Sequence, residues 1–208
     1  DRITLIEFTE NKGAAETVRS CFENAKGEYI TILDSDNVLS KDKIEKQLQF
    51  LIENPNIGAV FSYAKLINED GDNFTQNNHP YTKIFIKQNR DRFAWLNQFF
   101  YGGNCLCHSS ILIRKKCYDE VGLYDSRLVQ LPDFDLWIRL CLKYEIYILP
   151  EELVKFRIRN NELNASGRKR DSLVRYQFEY VNILSNYIKI DNPDMLKRIF
   201  PECSLQEN

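Results

Sequence analysis

The chain has 208 residues, 43% hydrophobic and 28% charged, an ordinary globular balance that excludes a disordered, collagenous or coiled-coil architecture. Its 28 Lys and Arg against 30 Asp and Glu leave a net charge of -2, which gives no general attraction for a phosphate backbone and sets nucleic acid aside as a partner. No run approaches the roughly 18 apolar residues of a membrane-spanning helix, and the length suits one large domain or one domain with an appendage.

Taken in order, the pattern alternates strand and helix. Ile3-Thr4-Leu5-Ile6-Glu7-Phe8 reads as a strand, and because it begins so near residue 1 an upstream part of the fold is expected to be missing. Asn11-Lys12-Gly13 is a turn. Ala14 to Ala25 reads as a helix, with Val18, Cys21, Phe22 and Ala25 on one face and Gly27 as its stop signal. Tyr29 to Leu33 is an unbroken apolar and β-branched run, the mark of a buried strand. After Asp34-Ser35-Asp36-Asn37 comes a helix expected to be capped by Ser40, with Ile44, Leu48 and Leu51 inward and Pro55 beyond its end. Gly58 to Ile67 is a further strand, closed by Glu69-Asp70-Gly71-Asp72. Strands and helices joined by short connections imply right-handed βαβ units, hence an α/β fold with a mainly parallel open sheet flanked by helices.

The middle is less regular. Residues 73–90 read as a loop, and Asp91 to Tyr101 as an aromatic-rich helix broken by Gly102-Gly103-Asn104. A short strand at Ile111–Ile113 and a short helix at Lys116–Val121 follow. Pro132 to Tyr144 reads as a helix, and two short strands are expected at 146–149 and 153–158. Ser172 to Ile190 is strongly periodic, with Leu173, Tyr176, Tyr180, Ile183, Leu184 and Tyr187 as its apolar stripe. A main α/β domain over 1–160, catalytic if the resemblance given below holds, and a C-terminal basic loop and amphipathic helix over 161–208 describe this pattern.

Three groups of residues could carry chemistry. Asp34 and Asp36 follow directly on a buried strand, at the edge where open α/β sheets bind ligands. Residues i and i+2 leaving a strand point to one side, so both carboxylates can face one hard divalent cation that keeps coordination sites for a diphosphate. A solvated acidic turn is the plain alternative. Asp133 opens a helix in Leu131-Pro132-Asp133-Phe134-Asp135, a place for a helix cap or for a general base held at a cleft edge. Arg157, Arg159, Arg168, Lys169 and Arg170 could clamp a diphosphate, lie over anionic lipid headgroups, or form a solvated loop. The aromatic segment Phe85, Phe93, Trp95, Phe99, Phe100 and Tyr101 and the residue His108 read as core and structural positions. Six cysteines, at 21, 105, 107, 117, 141 and 203, have no Cys-x-x-Cys pair. They read as reduced thiols, with Cys105, Cys107 and His108 too few for a zinc site.

In order along the chain, Asn11-x-Gly13, Ala25-x-Gly27-Glu28-Tyr29-Ile30, Leu33-Asp34-Ser35-Asp36, Lys43-Ile44-Glu45-x-Gln47, Asn54-Pro55 and Gly58-Ala59-Val60 form one series. It continues with His108 to Lys115, Val121-Gly122-Leu123-Tyr124-Asp125 and Asp133-Phe134-Asp135-Leu136-Trp137-Ile138-Arg139. The series resembles the family 2 glycosyltransferases of the GT-A fold, over about residues 3–160. The resemblance implies inverting transfer of a sugar from a nucleotide-diphospho-sugar, a UDP-sugar first, to a hydroxyl of a saccharide or lipid-linked acceptor. It implies bacterial surface polysaccharide synthesis in the cytoplasm, at the inner face of the membrane or in peripheral contact with it. It assigns Asp34 to the ribose, Asp36 with Asp34 to Mg²⁺ or Mn²⁺, Asp133 as the base, and Arg157 and Arg159 to the donor.

This sequence departs from the family pattern in places. Pro132 replaces an acidic neighbour, which removes a like charge and should leave Asp133 easier to ionise. Val18-Arg19 stands where Arg-Asn is common, and Arg159 where His is common. The family's first strand, first helix and Asp-Asp-Gly-Ser turn would precede Asp1, so an N-terminally truncated, donor-weak fragment is expected. Two readings from other classes stay open: a haloacid-dehalogenase-type phosphatase with Asp34 as nucleophile, and a non-catalytic sugar-binding module.

Overall fold

The computed structural model describes residues 2–76, 78–167 and 169–206. Its strands are β1 (Tyr29–Thr31), β2 (Val38–Leu39), β3 (Ile57–Ile67), β4 (Leu112–Arg114) and β5 (Glu145–Arg157). Its helices are α1 (Ala14–Asn24), α2 (Lys43–Glu53), α3 (Arg92–Gly102), α4 (Lys115–Val121), α5 (Pro132–Cys141), α6 (Arg170–Ile188) and α7 (Pro193–Ile199). The sheet order is β1-β4-β3-β5-β2.

The sheet is mixed rather than mainly parallel, since only β3 and β5 pair parallel and the other three pairings are antiparallel. Two of those three come from one insertion, and the third from the short edge strand β2 on β5. β1 and β3 are both antiparallel to β4, so they run the same way, as a β1-α2-β3 unit requires. β4 enters between them from later in the chain. The alternation of strand and helix encodes strand direction; it does not encode which strands become neighbours.

The segment Ile3–Phe8 is not a strand. A strand must hand its N–H and C=O groups to a partner, and this segment joins no ladder among the described residues. Ile3 is 88% and Leu5 78% exposed. The two short strands expected after α5 are one strand, β5. Ser62 faces Leu149 and Tyr63 faces Glu152, so Pro150 and Glu151 are bulged out and the ladder continues past the proline.

The inward face of α2 is Lys43, Gln47 and Leu51, not Ile44, which is 41% exposed. Ser40 does not cap this helix; its first turn starts at Asp42 with no side-chain cap bond. Polar side chains point inward because carbonyls wait there. Gln47 Nε2 donates to Ser110 O at 2.7 Å, and Lys43 Nζ donates to Thr31 Oγ1 at 2.8 Å and Ile111 O at 3.1 Å.

Lys43 is fully buried with no carboxylate beside it, and burial pushes its amine down to about 7. An amine whose folded pKa lies below its unfolded value near 10.4 penalises the fold while protonated. That penalty is complete below about pH 7 and is relieved as pH rises toward 10. Thr31 Oγ1 still donates to Ile111 O at 2.6 Å without the lysine. Lys43→Met is therefore expected to exceed the wild type by about 2 to 4 kcal/mol at pH 6.5, with the gap narrowing by pH 9. Urea melts at the two pH values check this; a gap that does not narrow refutes it.

One large hydrophobic cluster joins Phe61, Trp95, Phe99, Ile113, Phe134, Trp137 and Ile148. Phe93, Trp95 and Phe99 are core, as the aromatic segment suggested, while Tyr101 is 64% exposed. The 161–208 segment contributes Ile183, Tyr187 and Ile199 to the same cluster, so α6 and α7 pack into the body that carries the sheet. Among the described residues no helix is long and apolar enough to cross a membrane.

Candidate active site

Asp34 leaves β1 at the edge where β4 begins, because Thr31 pairs with Leu112. The turn before β4, His108–Ser110, therefore meets it. His108 Nδ1 stands 3.0 Å from Asp34 Oδ1, and Ser109 Oγ donates to Asp34 Oδ2 at 2.6 Å. Asn37 Nδ2 adds a bond to the same oxygen at 3.3 Å. The far nitrogen of His108 lies 2.8 Å from Tyr124 Oη. Burial works against the charge of Asp34, but the bonds from His108, Ser109 and Asn37 outweigh it and hold the carboxyl below its usual range. Burial likewise opposes the charge of His108, and Asp34 overrides it, so the imidazole is raised. Both shifts favour an ion pair.

Asp36 differs from Asp34. Its carboxylate has no hydrogen-bond or ion-pair partner among the described residues. Its backbone is held instead: Arg157 Nε donates to Asp36 O at 2.8 Å, and the same guanidinium reaches Asn68 O at 2.8 Å and Glu69 O at 2.7 Å. Arg157 N also donates to Asn37 Oδ1 at 3.0 Å. Arg157 thus gives Nε and Nη1 to three backbone carbonyls and pins the acidic loop to the end of β5. Arg159 sits at the same corner, 3.9 Å from Glu69. Lys169 and Arg170 open α6 and are exposed; Arg168 lies outside the described residues.

Asp133 lies in the first turn of α5 but is not its cap; Leu131 is, with no side-chain cap bond. Asp133 Oδ1 accepts from Phe134 N at 2.8 Å, and Oδ2 accepts from Asn104 Nδ2 at 2.9 Å. Its carboxyl is raised, first by burial and also by the charge of Asp34, while His108 and the two hydrogen bonds pull the other way. Pro132 adds no like charge beside Asp133, and burial nonetheless keeps the carboxyl above its usual range. Asp34, His108 and Asp133 act on one another electrostatically, so the fold brings 34, 108 and 133 to one place.

The loop into Asp133 is clamped from α6. Glu179, 8% exposed, accepts from Val129 N at 2.9 Å and from Gln130 N and Leu131 N, each at 2.8 Å. Three consecutive N–H groups around one carboxylate form an anion nest. Removing a partner from buried donors costs about 1 to 3 kcal/mol each. Glu179→Ala is expected to lose about 3 kcal/mol or more in urea unfolding, with faster hydrogen exchange at 129–131. A loss below about 1 kcal/mol would show that the clamp is not structural.

Nothing in the local sequence marks Glu179 or Asn104 as site residues, and His108 reads there as structural. Only Asn37 and Ser109 carried a local signal, standing next to Asp36 and His108. Cys105 and Cys107 are buried thiols that burial raises to about 11 and about 12, and among the described residues no group of three or more His, Cys, Asp or Glu is placed to hold a metal. An apolar recess of about 480 Å³ between α3, α6 and α7 contains none of these carboxylates.

A family model described as glycosyltransferase like family 2 matches residues 7–193. An uncharacterized glycosyltransferase of Methanocaldococcus jannaschii is 28% identical over 84% of this chain and 57% of its own length. TuaG of Bacillus subtilis, a glycosyltransferase whose name assigns it to teichuronic acid biosynthesis, is 28% identical over 81% of this chain and 62% of its length. The chain thus spans a little over half of these relatives. Staphylococcus aureus TarS, solved with UDP-GlcNAc, superposes with a TM-score of 0.63 at 16% identity, over 96% of this chain and 58% of TarS. The mannosyltransferase PcManGT of Pyrobaculum calidifontis, solved with GDP-Man and Mn²⁺, superposes at 0.58 and 17% identity, over 94% and 50%. The fold is of the GT-A glycosyltransferase type.

Proposed function

The chain belongs to the family 2-like glycosyltransferases, and on that premise we propose that it carries the donor and base elements of an inverting transfer from a nucleotide-diphospho-sugar to a hydroxyl acceptor. The observation that carries the reading is the meeting of Asp34, His108 and Asp133 at one sheet edge; two residues on from Asp34, the Asp36 carboxylate has no partner among the described residues.

The donor set fits a hard divalent cation bound mainly through its substrate. Asp36 offers carboxylate oxygens with no partner among the described residues, whereas both Asp34 oxygens already take part in protein hydrogen bonds, three against about four acceptor sites; so few protein ligands suit Mg²⁺ or Mn²⁺, which keep waters and diphosphate oxygens. When bound, such an ion neutralises charge growing on the departing diphosphate. Asp36 would hold it, with Asp34 facing the ribose and fixed by His108 and Ser109. Arg157 positions the Asp36 loop, and Arg159, half-exposed at the same corner and 3.9 Å from Glu69, would approach phosphate with it.

Asp133 is the base. Burial raises its carboxyl, which makes the carboxylate a stronger proton acceptor, while Asn104 and Phe134 N fix its two oxygens. It takes the proton of the acceptor hydroxyl as that oxygen attacks the anomeric carbon opposite the diphosphate, through an oxocarbenium-like state, so one displacement inverts the centre. A phosphatase using Asp34 as nucleophile fits poorly, because both Asp34 oxygens are engaged by His108, Ser109 and Asn37.

UDP-sugars are the first donors to test, since TarS was solved with UDP-GlcNAc; PcManGT adds GDP-mannose. TuaG's name points to a surface polysaccharide, built on a saccharide or lipid-linked acceptor at the cytoplasmic membrane face. A nucleotide-sugar screen for UDP or GDP release with Mg²⁺ or Mn²⁺ checks the function. Metal-dependent release of one nucleotide is expected; phosphate release from generic esters instead would refute it.

A further inference from the structure

We propose that Tyr124 is a positioning residue for the donor: its hydroxyl sets the ring of His108, and His108 in turn aims the Asp34 carboxylate. The inference rests on Asp34 facing the ribose. His108 is held at both ring nitrogens, Nδ1 by Asp34 Oδ1 at 3.0 Å and Nε2 by Tyr124 Oη at 2.8 Å. The two contacts fall at different corners of the imidazole. Together they fix its rotation, which either alone leaves free.

Tyr124 is itself built in from two sides, and its side chain is only 2% exposed. Its ring meets Phe22 of α1 edge-on, 5.5 Å apart at 84°. Its backbone continues a loop that one guanidinium anchors. Arg139 of α5 donates to Val121 O, to Gly122 O at 2.9 Å and to Leu123 O at 2.9 Å, the three carbonyls just before Tyr124. Gly122 lies among them at φ +83, a backbone that favours glycine. Arg139 Nε donates to Asp135 Oδ2 at 2.8 Å, and Asp135 Oδ1 accepts from Asn186 Nδ2 of α6 at 2.9 Å. Helices α1, α5 and α6 thus all contribute to where the Tyr124 hydroxyl stands.

Packing against Phe22 asks only for an aromatic ring. The hydroxyl answers a different need. A phenol both donates and accepts, so it pairs with Nε2 whether or not that nitrogen carries a hydrogen. Nε2 has no other hydrogen-bond partner among the described residues. Without the phenol, a buried ring nitrogen is left unpaired, and the ring gains by turning to find a new partner. That turn carries Nδ1 away from Asp34.

The chain has two histidines, His79 and His108, so ¹⁵N-labelled histidine supplies a reporter and an internal reference in one sample. Tyr124→Phe keeps the ring and deletes the hydroxyl. At fixed pH it is expected to displace and broaden the Nδ1 resonance of His108, the nitrogen that Tyr124 does not touch, while the His79 resonances stay in place. With Mn²⁺ present, the Kd for whichever of UDP and GDP the wild type binds more tightly should rise about 3- to 10-fold in Tyr124→Phe, read by calorimetry. In a His108→Asn background the same substitution should change that Kd less than about two-fold, because Tyr124 acts through the imidazole. An unmoved Nδ1 resonance, or a Kd change as large in the His108→Asn background as in the wild type, overturns the proposal. A displaced resonance with an unchanged Kd, or with neither nucleotide bound by the wild type, overturns the donor role of Asp34 instead, so the two readings fail separately. Should Tyr124→Phe not fold, Tyr124→Met serves with the same outcomes.

Discussion

Asp133→Asn is expected to lower sugar transfer by about 10²- to 10⁴-fold without unfolding the chain, because it deletes proton acceptance and little else. The amide oxygen can still accept from Phe134 N or Asn104 Nδ2, the two groups that hold the native carboxylate. Stability should move the other way from activity. A carboxyl whose folded pKa is raised above its unfolded value near 3.9 stabilises the fold only while protonated, and that contribution is lost as pH rises through the folded value. At neutral pH the native side chain is a partly buried charge, so the asparagine variant should melt at the same temperature or higher. The native chain should gain on it as pH falls toward 4. The rate should also show an acid limb, falling below the raised pKa of Asp133, that disappears in the variant. Undiminished transfer by Asp133→Asn removes this residue as the base.

Asp36→Ala is expected to abolish Mn²⁺ binding in the presence of UDP, read by electron paramagnetic resonance, and to cut transfer by at least about 10²-fold. It should cost less than about 0.5 kcal/mol, since its carboxylate has no partner to lose. Asp34→Ala makes the contrast. It strands His108, Ser109 and Asn37 in a partly buried network and is expected to cost about 2 to 4 kcal/mol. Two carboxylates two residues apart thus separate cleanly, one by ligand binding and the other by stability. Native Mn²⁺ binding in Asp36→Ala would show that the ion, if bound, is held elsewhere.

Much of this molecule is legible in the chain. The apolar run Tyr29–Leu33 announces a buried strand with Asp34 and Asp36 just past its exit, but the backbone there is not extended as the i, i+2 spacing assumed: Asn37 N donates to Asp34 O at 3.1 Å and closes a turn. Asp133 at the start of a helix is equally local, but the helix reads as buried on one side, at Leu136, Leu140 and Tyr144, whereas Phe134 to Cys141 are all buried apart from Arg139. Resemblance adds the family and the roles. The failures share a cause. Ile3–Phe8 has strand composition, yet a ladder needs a neighbour, and composition does not supply one. Ser40 has the right chemistry for a cap, but α2 turns Lys43 and Gln47 inward to carbonyls brought by β4.

What the sequence by itself determined is direction and kind: three strands running one way, two acids leaving the first of them, a third acid opening a helix. The tertiary structure alone decided company. Insertion of β4 between β1 and β3 delivers His108 and Ser109 to Asp34 across more than 70 residues, and docking of α6 delivers Glu179 and Tyr180 to the loop and ring beside Asp133. Side-chain spacing along a strand or helix is set by backbone geometry within a few residues. Contacts between distant segments depend on which surfaces bury each other, and no local period records that choice.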